Sequence, residues 1–217
     1  MISILIPTFG RADKIDEVYD NIKSNTSHQH EIIFITEDRD QASTLKAARK
    51  LAYTNNVHEG NYAGAIQSGV NASIYRFIFF GADDLHFHPN WDIEAMYQFS
   101  PTVKVVGTND LHNVHVLAGH HSTHHLVDRQ YLNTVGGVVD AGPGSVLYPG
   151  YDHNFSDTEF IGTARWRGVF APCLSSLVEH RHFAFGLAYR DATYDKGYKN
   201  FDADARLYES RKHLWGE

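Results

Sequence analysis

Residues 75–91 read YRFIFFGADDLHFHPNW, and the rest of the chain is interpreted around them. Phe77–Phe80 is a short, wholly apolar run, the pattern of a strand buried on both faces. Gly81-Ala82 breaks the run, and two adjacent carboxylates, Asp83 and Asp84, follow at the strand's carboxyl end. In open α/β sheets that edge is where ligands bind. Two neighbouring acids repel each other unless a cation or hydrogen-bond donors hold them. Hard oxygen ligands suit Mg²⁺ or Mn²⁺, ions that share their shell with substrate phosphates. A strand-end turn with solvated acids is the competing reading, because Asp is a favoured turn residue.

Upstream, Ser3–Ile6 reads as a strand and Pro7-Thr8-Phe9-Gly10-Arg11 as the turn after it. Ala12–Lys23 has helical spacing, with Ile15, Val18, Tyr19 and Ile22 on one face. Glu31–Thr36 is a second apolar strand that ends at Glu37 and Asp38. Gln41–Tyr53 and the Ala/Gly-rich Asn61–Ser73 read as helices. This βαβα(α)β order predicts a parallel sheet with right-handed crossovers, so that 7–11, 36–38 and 81–84 lie along one edge.

Downstream, Trp91–Phe99 reads as a helix and Val103–Thr108 as a strand. His115–Ala118 and His124–Val127 read as short strands around HHSTH, and Asp128–Gly136 as a short helix. Asp140–Pro149 is loop-like by its Gly and Pro content. Asp157–Arg167 is a helix with an acidic start and a basic end, which suits the macrodipole. Leu177–Phe183 reads as a strand, and Asp191–Glu217 as a polar tail with helical pieces.

The 217 residues fit a single α/β domain spanning 1–217, with a nucleotide-type half at 1–100 and an acceptor-side half at 101–217 on one sheet. No apolar run approaches the ~20 residues of a membrane span. The start, MISILIPTFGR, lacks the basic and long apolar regions of a signal peptide. One cysteine, Cys173, excludes an intrachain disulfide and fits a reducing cytoplasm. A net charge of −7 argues against a protein that coats duplex nucleic acid.

The expected edge gathers a hydroxyl (Thr8), a guanidinium (Arg11) and two sets of carboxylates. Arg grips phosphate by a two-pronged contact, and a carboxylate can accept from a base N–H or a ribose hydroxyl. The set suits a nucleotide with a metal on its diphosphate. Neither GxxxxGK[ST] nor GxGxxG is present, which disfavours a P-loop NTPase or a dinucleotide oxidoreductase.

The chain resembles an inverting GT-A glycosyltransferase of the large family-two type, in the small form found in bacteriophages and prophages. ISILIPTFGR resembles that family's opening strand and nucleotide loop. NYAGAIQSG resembles its Asn-x-Gly helix, with Gly64 one place later than usual. FIFFGADD resembles its metal-binding strand, and HNFSDTEF with VEHRHFAFGLAYRDATY its carboxyl half. The resemblance implies a GT-A fold with a mostly parallel central sheet flanked by helices, a nucleotide-sugar donor (a UDP-sugar by default), Mn²⁺ or Mg²⁺, and transfer with inversion. It implies that Pro7, Thr8, Arg11, Asn61, Gly64, Ala82 and Asp83 meet the donor, that Glu37 or Asp38 meets its base, and that Asp83 and Asp84 form the metal motif. The common motif is Asp-Ala-Asp-Asp, so Gly81 removes one carboxylate and calls metal affinity into question.

Inverting transfer needs a base for the acceptor's proton. The resemblance puts that role on Asp157, with Glu159 beside it; as helix N-cap residues the same acids would be structural. His180 and His182, at i and i+2, would share a strand face and could ligate the metal, or else form a solvated pair. His120, His121, His124 and His125 lack an HExxH or Cys partner, so an acceptor-facing loop is favoured over zinc. His86 and His88 read as surface turn residues. Trp166 and Arg167 either shape an acceptor pocket or end a helix, and Cys173 reads as buried and inert.

A nucleotidyltransferase and a non-catalytic nucleotide-sugar-binding protein are the competing functions. The acceptor is open among a hydroxymethylated DNA base, a virion protein and a glycan. The expected location is the cytoplasm, the host's if the chain is phage-encoded.

Overall fold

Strand residues alternate between two cores, which is why the strands read as unbroken apolar runs. The computed structural model describes residues 1–50, the backbone of 53–55, and 60–216. In order, these form β1 (Ile2–Pro7), α1 (Lys14–Asn25), β2 (His30–Thr36), α2 (Gln41–Ala48), β3 (Tyr53–Asn55), α3 (Tyr62–Ala72), β4 (Phe77–Phe80) and β5 (Leu85–Phe87). Then come α4 (Trp91–Tyr97), β6 (Val105–Asn109), α5 (Val114–Leu117), β7 (His125–Asp128), α6 (Arg129–Val135), α7 (Ser156–Trp166), β8 (Phe170–His180), α8 (Ala192–Tyr198) and α9 (Phe201–Arg211). Single 3₁₀ turns lie at Phe183–Phe185 and Lys212–Trp215.

The strands make one sheet in the order β3-β2-β1-β4-β7-β6-β8-β5. Pairings β1–β2, β1–β4, β2–β3 and β6–β8 are parallel, while β7 runs antiparallel to both β4 and β6, and β5 antiparallel to β8. One face carries Ile4, Phe34, Phe79, Val106 and Leu126, covered by Ile15, Val18 and Ile22 of α1 and by Trp91 of α4. The opposite face carries Leu5, Ile35, Ile78, Val105 and Val127, covered by α3, α6 and α7. The two sets are offset by one residue, as the period of two requires. Phe79 is the hub of the first core, with its ring against Phe87 and Trp91.

The expected helices and strands of the first hundred residues form, with one shortening. The helix expected over 41–53 ends at Ala48, and Tyr53 belongs to β3; residues 51–52 lie outside the described set. The expected strand 115–118 is instead the single turn α5, because Asn113 accepts from the His115 N–H and starts a helix there. The expected strand 177–183 is the end of the longer β8, which stops at His180. The tail from Asp191 forms α8 and α9 and packs onto the body through buried Tyr194, Asp204, Arg211 and Trp215.

Among the described residues, no helix is long and apolar enough to cross a membrane.

Candidate active site

The carboxyl ends of β1, β2 and β4 open into a cleft of about 440 Å³. Its far wall is built from 113–124, 152–158 and 180–201. Pro7, Thr8, Arg11, Glu37, Asn61, Ala82, Asp83, Asp84, Asp157, His180 and His182 all line it. Asp38, Gly64 and Glu159 do not.

Arg11 stands at the centre. Its Nη1 donates to Asp83 Oδ1 at 2.7 Å, and its Nε and Nη2 donate to both oxygens of Asp191. The guanidinium lies over the Tyr194 ring, 4.0 Å from the centroid. The Asp83 carboxyl is buried, and burial pushes its pKa up to about 7, with Arg11 pulling the other way and Asp84 adding to the rise. Asp84 faces the same burial, yet His180, Arg11 and His124 together hold it well below the usual carboxylate range. Asp84 Oδ2 accepts from the Tyr194 hydroxyl at 2.9 Å and lies 3.3 Å from His180 Nε2. Burial opposes the charged form of His180, but the Asp84 carboxylate prevails and raises its pKa.

Asp84 Oδ1 is buried and meets no hydrogen-bond partner among the described residues. An unsatisfied buried carboxylate oxygen beside an imidazole is the donor set of a cation site. Among the described residues no three His, Cys, Asp or Glu side chains converge to cage an ion unaided. Mg²⁺ and Mn²⁺ do not require that, since such ions keep several positions for water and phosphate. Asp84 and His180 therefore fit such an ion.

His180 and His182 come together, their rings 5.0 Å apart, though not by sharing a strand face. β8 has ended, and His182 caps the 3₁₀ turn, its Nδ1 accepting from the Ala184 N–H. Of the histidine run, His124 closes on His180 (ring centroids 5.0 Å), and its Nδ1 hydrogen-bonds to the Phe80 carbonyl. His125 turns the opposite way, stacked on Phe160 in the core. His121 Nε2 lies 3.3 Å from Asp157 Oδ2. His120, His121 and His124 sit in a loop, and His125 begins β7.

Asp157 sits in the first turn of α7. Burial favours its neutral form, but the His121 contact and the Thr158 N–H hold its pKa at about 2. Glu159, two residues on, is fully buried on the other side, where Arg211 Nη2 reaches it at 2.6 Å and the Tyr151 hydroxyl at 2.8 Å. It is a structural ion-pair partner, removed from the cleft. Glu37 accepts from the Gly60 N–H at 3.0 Å, pairs with Arg39, and lies 3.8 Å from Lys196 Nζ. Asn61 caps α3 by accepting from the Gly64 N–H at 2.6 Å, which gives Gly64 a role in the helix start.

Gly81 has a packing reason to be glycine. A Cβ there would lie 2.9 Å from both Ile6 Cδ1 and the Leu5 carbonyl oxygen. The Tyr62 hydroxyl donates to the Gly81 carbonyl. Trp166 is exposed and off the cleft, and Arg167 ties α7 to the Gly136 and Val138 carbonyls. His86 and His88 lie outside the cleft, and Cys173 is in the core.

Sequence reasoning did not foresee Tyr62, His153 or Lys196 at the site. Tyr62 and His153 lie inside NYAGAIQSG and HNFSDTEF, where no role was read for them, and Lys196 lies in the last turn of α8.

Residues 3–158 match the family model described as Glycosyl transferase family 2. A comparison with curated proteins finds no match. Among solved structures, the chain is similar to the mannosyltransferase PcManGT from Pyrobaculum calidifontis, in complex with GDP-Man and Mn²⁺. The TM-score is 0.61 at 14% identity, over 97% of this chain and 74% of that one. It is also similar to glucosyl-3-phosphoglycerate synthase from Mycobacterium tuberculosis, in complex with Mn²⁺, UDP and phosphoglyceric acid (0.63, 13%, 100% and 78%). Mannosyl-3-phosphoglycerate synthase from Rubrobacter xylanophilus compares likewise (0.63, 12%, 98% and 75%). At these identities the structures share the fold, an α/β sheet flanked by helices. The family match covers well over half of the sequence, and the chain belongs to glycosyl transferase family 2.

Proposed function

We propose that the protein transfers a sugar from a nucleoside-diphosphate sugar, taken as a UDP-sugar, to an acceptor hydroxyl, with inversion and with help from Mn²⁺ or Mg²⁺. The observation that carries this reading is the convergence of Arg11, Asp84, His180 and Asp157 on one cleft from four distant segments. The nucleotide sugars and Mn²⁺ bound in similar structures support it.

In this reading Thr8, Asn61 and Glu37 meet the nucleoside, and Arg11 and Asp83 meet the diphosphate side of the donor. Asp84 and His180 hold the cation, with His182 adjacent; when bound, the ion offsets charge on the departing diphosphate. Asp157 accepts the proton of the acceptor hydroxyl. The acceptor oxygen then bonds to the anomeric carbon from the face opposite the diphosphate, as the carbon–oxygen bond to the diphosphate breaks. Attack from the opposite face inverts the configuration. A depressed pKa keeps Asp157 ionised at neutral pH, ready to accept.

The test is donor turnover in Mn²⁺, followed by the nucleotide released and by the anomeric configuration of the product. Release of nucleoside diphosphate, lost in Asp84→Ala and on chelation, is the expected result. Release of pyrophosphate would assign a nucleotidyltransferase. No turnover, with nucleotide-dependent thermal stabilisation retained, would assign a binding protein.

A further inference from the structure

The wall of the cleft around Asp157 has a composition of its own. Only two lining side chains, Arg11 and Lys196, are basic, and both are engaged on the donor side, with Asp83 and Asp191 and with Glu37 and Phe9. The undescribed positions 51, 52, 56–59 and 217 include no Lys or Arg. His121 contacts Asp157, and the same cleft is lined by Asp152, Asn154, Asn113, Thr123 and the imidazole of His153. This lining offers hydrogen bonds to hydroxyls and no fixed positive charge for a phosphate or carboxylate, which Arg and Lys serve.

Beside these polar groups runs an aromatic wall. Tyr198 and Phe201 are stacked at 7°, Phe201 meets Phe155 at 5.3 Å, and all three line the cleft. Phe155 has φ 66 and ψ −4, a left-handed backbone that a bulky residue adopts only under constraint. Phe201 and Tyr208 hold its ring in place. This turn sets an aromatic face two residues before Asp157.

We infer that the acceptor is an uncharged sugar residue, whose apolar C–H face lies on Phe155 and Phe201 while one hydroxyl points to Asp157. The inference rests on the glycosyl-transfer reading above and narrows its acceptor. A phosphorylated acceptor would meet Asp152 and Asp157 without a countercharge. A base flipped from DNA would bring its backbone phosphates towards the same carboxylates.

The experiment supplies the donor and Mn²⁺ with three acceptor sets: neutral alkyl glycosides, the same sugars as phosphates, and an oligonucleotide carrying hydroxymethylated bases. Donor hydrolysis without acceptor is measured in parallel. Transfer to at least one neutral glycoside, at least ~10-fold more efficient than to its phosphate, is expected. Phe201→Ala, at a 40% exposed position, should raise the acceptor KM by about 10-fold. Phe155→Gly relieves the backbone constraint while removing the ring, so it should lose the same acceptor affinity, with thermal unfolding showing that the chain still folds. Equal or better use of the phosphates or the oligonucleotide overturns the inference. So does persistent donor hydrolysis with no transfer to any neutral sugar, or an acceptor KM indifferent to both aromatic changes. Absence of donor hydrolysis and of any nucleotide-dependent stabilisation overturns the glycosyl-transfer reading itself.

Discussion

Arg11 and Asp191 share a two-pronged ion pair at 2.9 and 3.0 Å although 180 positions separate them. The same Asp191 carboxylate also accepts from the Thr193 and Tyr194 N–H groups and so starts α8. One side chain thus fixes the Arg11 guanidinium and the first helix of the carboxyl segment. Asp191→Ala should cost about 1–2 kcal/mol, from the lost cap and the charge-assisted bonds. Thermal unfolding and limited proteolysis check this. A lower midpoint with new cleavage between 187 and 200 is expected; an unchanged midpoint and pattern would refute the linkage.

Replacing Gly81 with Asp reinstates the common acidic motif on paper. The space is filled by Ile6 and the Leu5 carbonyl, so the added side chain has to displace β1 or β4. Overpacking of this kind costs about 1–3 kcal/mol. Gly81→Asp should unfold at lower urea and bind Mn²⁺ no more tightly than the parent. Unchanged stability together with tighter Mn²⁺ binding would show that the strand end has room.

In the proposed reaction, where Asp157 is the base, its contact with His121 sets where activity fails in acid. Asp157 acts as a base only when ionised, so turnover falls as pH drops through its pKa, held at about 2 in part by His121. Removing His121 leaves burial less opposed and moves that pKa upward. His121→Ala should therefore shift the acid limb of kcat/KM to higher pH, with donor binding kept. Asp157→Asn should lose ~10²–10⁴-fold in transfer at every pH. An acid limb that stays in place in His121→Ala would remove His121 from this role.

His125 predicts a stability limit of its own. It is buried against Phe80 and Phe160, and burial is the main force that lowers its pKa to about 3. An unfolded histidine titrates near 6.5, so between about pH 6.5 and 3 the unfolded chain takes up a proton that the folded chain refuses. Stability is full above that window and falls within it by up to about 1.4 kcal/mol per pH unit. Neither ring nitrogen has a hydrogen-bond partner among the described residues, so His125→Phe leaves no polar group stranded. Urea unfolding at pH 7 and 5 should show a smaller acid loss in His125→Phe. Identical losses would place the acid sensitivity elsewhere.

The side of the cleft formed by β1, β2 and β4 was legible because its groups are local to strand ends. A run such as FIFF, buried on both faces, announces a strand, and whatever follows it lies on the sheet edge. Asp83, Asp84, Thr8 and Arg11 are found by that rule alone. The opposite wall follows no such rule. Asp157 and Glu159 are equivalent in sequence, both acids in one first turn. Only the Arg211 guanidinium, arriving from 52 positions later, separates them by taking Glu159 into the core. The tail looked merely polar because its anchoring is by charge: Arg211 with Glu159 and Asp140, and Asp204 with the backbone of 152–154. Ion pairs between distant residues leave no periodicity to read. β3 and β5, three residues each, are too short to carry a pattern.

Asp204 accepts from three consecutive backbone N–H groups, those of Asp152, His153 and Asn154. The last long helix is thereby the hand that holds the strip of chain leading to Asp157. Anyone grafting a new carboxyl segment onto this scaffold to change what it glycosylates must carry that grip along. A tail exchanged without it would arrive with new specificity and no anvil to strike on.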